Sequence, residues 1–221
     1  MIDAVAVCPH PPGLVPSVGR GLPELDDVRA AAHAAVASLV SAAPRRVVVL
    51  GPGADLDLDE TAGGSFVPFG VDLAVGGPTR SLPAPFVVGA WLLDEAGWTG
   101  PRRYVTAPVQ LVEGDVLLVL ADGDTRVGVD VVHYGDPRAA ALDDLVAAAL
   151  DAGDAAALAA IDVDLADTWD GTGARPLREL GRLVEAETAK GAAVTARLSC
   201  DATPFGIRYW VAEWSLTASR R

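Results

Sequence analysis

Val116-Leu117-Leu118-Val119-Leu120, followed by Ala121-Asp122-Gly123-Asp124, is an apolar run that ends at a turn. The run is too short for a buried helix and lacks the alternation of a half-exposed strand, so it reads as a strand covered on both faces. The Asp-Gly pair supplies the turn. Val47-Val48-Val49-Leu50 repeats the pattern before Gly51-Pro52-Gly53. Residues 2–7 form a third strand, running into Cys8-Pro9-His10-Pro11-Pro12-Gly13. Residues 104–109, 194–198 and 207–212 are weaker strand candidates.

Helices fill the intervals. Val28, Ala32, Val36, Leu39 and Val40 make one apolar stripe, with Asp26 or Asp27 as the expected cap and Pro44 beyond the end. Asp136 before Pro137 predicts a capped helix that buries Leu142, Leu145, Val146 and Ala149 and closes at Gly153. Asp154 caps a following helix carrying Leu158, Ile161 and Leu165, and residues 175–190 form another, ended by Gly191. Strands alternating with helices predict an α/β fold: a mostly parallel or mixed central sheet with helices on both faces. No repeat or linker divides the chain, so residues 1–221 are expected to form a single domain.

The chain carries 17 Lys and Arg against 30 Asp and Glu, a formal charge of −13. That balance disfavours nucleic acid and anionic membranes, although a local arginine cluster can still hold a small anion. Gly 23 and Pro 16 imply many turns. Two cysteines, Cys8 and Cys200, make no disulfide framework. The start of the chain lacks the pattern of a signal peptide, and no apolar run approaches a membrane span, so a cytoplasmic protein is expected.

Three histidines can carry chemistry. His33, among helical alanines, reads as a packing residue. His10 follows the first strand between prolines, at the edge where open α/β sheets collect ligands. It reads as a metal ligand, a general base or a histidine hydrogen-bonded in a rigid loop. His133, beside Tyr134 in a Gly-rich loop, reads as an acid–base or ligand-binding residue, or as an exposed loop histidine. Asp55 and Asp57 lie in an acidic loop without calcium-loop spacing. Asp122, Asp124 and Arg126 follow a buried strand and make a stronger strand-end group. No phosphate loop, nucleophile elbow or zinc-ligand pair is present. Cys8, near His10, reads as a buried thiol, a soft ligand or a nucleophile.

Ala6-Val7-Cys8-Pro9-His10-Pro11-Pro12-Gly13-Leu14-Val15-Pro16 resembles the start of LigB-like proteins, relatives of the catalytic subunit of class III extradiol ring-cleavage dioxygenases and distant kin of Memo-type proteins. Val47-Val48-Val49-Leu50-Gly51-Pro52 is similar to the strand leading to the family's second metal histidine. Leu118 to Asp124 is similar to the strand and turn before its acid–base histidine. Tyr134-Gly135-Asp136-Pro137, Gly153-Asp154 and Thr203-Pro204-Phe205-Gly206 extend the likeness to compact actinobacterial members.

The resemblance implies Fe(II), or another divalent metal, on two histidines and a glutamate. His10 matches the first ligand. The second histidine falls near Gly53 or Ala54, and the acid–base histidine near Arg126. Glu179 stands where the carboxylate ligand lies, and Asp55 or Asp57 could substitute in the set. The expectation is a LigB-like protein with an incomplete non-haem iron site that binds a small polar or aromatic metabolite in a strand-end pocket. That pocket is lined by His10, the 53–57 loop, Asp122, Asp124, Arg126, His133 and Tyr134. His10 or His133 can act there as a metal-independent base. The alternatives are an active Fe(II) extradiol dioxygenase with substituted ligands, or a non-catalytic subunit or scaffold. The scaffold would work through a surface bearing Trp91, Trp98, Trp210 and Trp214, and a homo-oligomer would suit it.

Overall fold

A computed structural model describes residues 2–18, 21–123, 137–167 and 173–218. Its main sheet has seven strands. In chain order these are β1 (Ala4–Cys8), β2 (Arg46–Leu50), β3 (Asp57–Asp59), β6 (Arg102–Val105), β7 (Asp115–Leu120), β8 (Ala192–Ala202) and β9 (Tyr209–Ala218). They lie side by side as β3-β6-β2-β7-β1-β9-β8. The four inner strands β6, β2, β7 and β1 are mutually parallel, while β3 and β9 add antiparallel at either side and β8 pairs antiparallel with β9. The sheet is therefore mixed, with a parallel centre. A small hairpin, β4 (Gly63–Ser65) with β5 (Ala74–Gly76), stands apart from it.

The uninterrupted apolar runs are explained by burial on both faces. Cys8, Val47, Val49, Leu118 and Leu120 face the layer containing α1 (Asp26–Ser41) and α2 (Ala84–Glu95). Their neighbours Val7, Val48, Leu50, Leu117 and Val119 face the opposite layer of α3 (Pro137–Ala152), α4 (Ala155–Ala159), α5 (Val163–Asp167) and α6 (Ala174–Thr188). Side chains alternate across a strand, so a two-sided core makes every position apolar. Trp91, Trp210 and Trp214 are buried and Trp98 is half-buried, so these rings serve the core rather than a contact surface. The Trp214 indole donates to the Leu150 carbonyl at 2.8 Å.

Local chemistry corrects three boundaries. The N-cap of α1 is Leu25, with no side-chain cap; Asp26 and Asp27 occupy the first turn instead, where their charge suits the helix dipole. Asp154 does cap α4, accepting from the Ala157 amide at 3.0 Å. The expected helix from there to Leu165 breaks into α4 and α5, because Asp162 restarts it by accepting from the Leu165 amide at 3.0 Å. The weak strand candidates at the chain's end become the long hairpin β8–β9. Asp136, the expected cap of α3, lies outside the described residues. No helix among the described residues is long and apolar enough to cross a membrane.

Candidate functional site

Because β1 and β7 are adjacent and parallel, with Cys8 opposite Leu120, residues two positions further on reach the same level at the sheet's carboxyl edge. Those residues are His10 and Asp122. The His10 main-chain N–H donates to Asp122 Oδ1 at 2.8 Å, and its Nδ1 lies 3.4 Å from Asp122 Oδ2. Asp122 is fixed from behind. It bridges to Tyr209 of β9, and the next residue, Gly123, donates its N–H to the Arg208 carbonyl at 2.7 Å. Gly173 packs so closely that an added Cβ would fall 2.2 Å from the Asp122 carbonyl oxygen.

Burial pushes the Asp122 carboxyl above the usual carboxylate range, while the imidazole and amide of His10 pull it back. Burial, with the Asp122 charge added, pushes the Tyr209 phenol up to about 12, so that ring stays neutral. His10 itself is only 8% exposed, and its Nε2 is buried with no hydrogen-bond partner among the described residues. Leaving such an atom unsatisfied costs about 1–3 kcal/mol. Such an atom calls for an explanation, and a bound group is one; the buried Tyr104 Oη and Trp210 Nε1 share the condition.

A second grouping lies along the same edge, beyond β2 and β6. An open cleft of about 340 Å³ is bounded by Gly53, Ala54 and Asp55, by Ala107 and Pro108, and by α6. Glu179 of α6 is buried at this wall, where its Oε1 accepts from the Val109 amide at 2.9 Å. Asp55 has a left-handed backbone, φ 54°, in the turn that follows β2.

The sequence-predicted residues therefore divide between places. His10 and Asp122 meet. Asp55 and Glu179 line the cleft, and neither His10 nor Asp122 does. Asp57 belongs to neither grouping. It lies on edge strand β3, where both carboxylate oxygens accept from Arg103 at 2.8 Å, and that bond holds its carboxyl below the usual range. Asp124, Arg126, His133 and Tyr134 lie outside the described residues. Cys8 is wholly buried in the core, and burial drives its thiol far up, which removes it as a nucleophile. His33 packs edge-on against Trp91 with ring centroids 5.0 Å apart, and burial lowers its pKa, in keeping with a packing role.

The two-histidine, one-carboxylate set implied by the resemblance is not assembled among the described residues. No three His, Cys, Asp or Glu side chains there lie close enough to hold a metal. Glu179 is spent on a main-chain amide, and Gly53 and Ala54 offer no donor side chain where the second histidine was expected. The described residues do not fit Fe(II). Missed by sequence reasoning are the cleft's arginines, Arg175, Arg178 and Arg182. Their spacing on α6 is visible in the sequence, but the direction that helix face points is not. No protein-family model matches the chain, and no curated protein is significantly similar to it.

Proposed function

We propose that this is a LigB-like protein that binds a small polar or aromatic metabolite at the carboxyl ends of its parallel strands, with His10 as the base that meets it. The observation that carries this reading is the buried Nε2 of His10, which has no hydrogen-bond partner among the described residues while Nδ1 faces Asp122. A carboxylate beside Nδ1 favours the tautomer with its proton on that nitrogen and leaves the Nε2 lone pair free. A ligand hydroxyl can donate to that lone pair. If the proton transfers, the Asp122 carboxylate stabilises the imidazolium that results. Cys8-Pro9-His10-Pro11-Pro12 supports the reading because prolines on both sides limit the backbone at the base. An acidic chain without a disulfide framework supports a cytoplasmic location.

The test is a panel of phenols and small polar acids, followed by thermal shift and by titration calorimetry on the wild type, His10→Ala and Asp122→Asn. A saturable binder is expected, weakened on the order of tenfold in His10→Ala through loss of a strong hydrogen bond. Binding that neither substitution alters would overturn the assignment of His10.

A further inference from the structure

The α6 wall of the cleft carries a row of cations that the His10–Asp122 pair does not use. Arg175, Arg178 and Arg182 are spaced by three and four residues on one helix face, and all three line the cleft. Arg175 is held by Asp167. Arg178 and Arg182 have no hydrogen-bond or ion-pair partner among the described residues, although Arg178 is half-buried. Glu179, their neighbour on the helix, is turned to the Val109 amide.

Arg45, Arg80 and Arg197 likewise form no ion pair among the described residues, but none of them lines this cleft, and other described arginines are neutralised. Arg46 takes Asp115, Arg102 takes Asp94, Arg103 takes Asp57 and Arg208 takes Asp201. Two unpaired cations four residues apart repel one another and destabilise a helix. Arg178 and Arg182 also lie too far from the C-terminus of α6 for its dipole to compensate fully. Both nevertheless border a cavity of small-molecule size at the strand ends. The lining also holds Gly53, Ala54 and Asp55, and of its two carboxylates Glu179 accepts from the Val109 amide.

We infer that Arg178 and Arg182 form an oxyanion subsite, and that the ligand of this cleft carries a carboxylate or phosphate group held between their guanidiniums. Guanidinium forks donate paired N–H groups to either oxyanion, with Arg178 half-buried and Arg182 exposed at the open cleft. The inference rests on the strand-end reading proposed above for the ligand's location, but it draws on different residues.

Inorganic phosphate and benzoate are titrated separately at constant ionic strength, with chloride as the balancing anion. Binding is followed by calorimetry and by the ¹⁵N resonances of the arginine side chains. The proteins are the wild type, R178Q/R182Q, His10→Ala, and Arg45→Gln as a control at the opposite end of β2. Saturable binding of at least one anion is expected, weakened about tenfold or more in R178Q/R182Q and unchanged in Arg45→Gln. Stronger binding of phosphate would assign a phosphorylated ligand, and stronger binding of benzoate an aromatic acid. Absence of saturable binding by either anion overturns the inference, as does binding that R178Q/R182Q leaves intact. Loss in His10→Ala alone would overturn the subsite and keep the strand-end base. Loss in R178Q/R182Q keeps the subsite, whether or not His10→Ala also weakens binding.

Discussion

At the residue scale, His10 and Asp122 meet because each stands two places beyond a paired position on neighbouring parallel strands. Burial raises the Asp122 pKa, so the folded state holds that proton more tightly than the unfolded chain does. The stability this group contributes is full below the unfolded value near 4, and it is lost as pH rises through the raised folded value. Asp122→Asn is expected to flatten that decline in urea denaturation across pH and to leave the fold intact at pH 7. Strong destabilisation at neutral pH would show instead that the buried charge is net favourable. The cysteines separate equally clearly. Cys8 is wholly buried with its thiol pushed up, while Cys200 is half-buried and raised chiefly by burial. Iodoacetamide on the native protein is expected to modify Cys200 first, with Cys8 reacting only on unfolding, and mass spectrometry reads the order. Early labelling of Cys8 would contradict its placement.

At the element scale, adjacent residues of β7 serve opposite layers. Leu117 packs with the α3–α6 side and Leu118 with the α1–α2 side, both fully buried. Truncation of either to alanine is expected to cost about 2–5 kcal/mol in chemical denaturation, whereas a sheet covered on one face would show a large cost at only one of them. Asp154→Ala is expected to cost about 1 kcal/mol through loss of the α4 cap. Strands β1, β2 and β7 were legible in the sequence because two-sided burial makes their runs apolar, whereas β6, Arg102–Val105, opens on two arginines and was only a weak candidate, placed at 104–109. The edge hairpin was blurred. β8 is rich in alanine and alternates between half-buried and exposed positions, so its pattern carries little contrast. Leu158, Ile161 and Leu165 keep helical spacing across a real break, since Asp162 bonds its own downstream amide without disturbing the apolar rhythm.

For the whole molecule, the α/β class followed from the order of strands and helices, and His10 with Asp122 followed from their places just past the strand ends. The cleft's arginine wall did not. Which face of α6 turns toward the 53–55 loop depends on how that helix packs on α4 and on the sheet, and periodicity in one segment does not encode this. Nor did the sequence separate the single expected pocket into a buried base beside β1 and β7 and an open cleft beyond β2 and β6. The central claim is the proposed strand-end binding site, on described residues that do not assemble the iron-ligand set implied by the LigB-like resemblance. Elemental analysis tests it most directly, on protein purified without chelator or affinity tag and on His10→Ala prepared alongside. The expected result is iron, zinc and copper all far below stoichiometric in both proteins, with the fold unchanged. Near-stoichiometric iron in the wild type that vanishes in His10→Ala would contradict the claim and make this chain a metal-dependent protein.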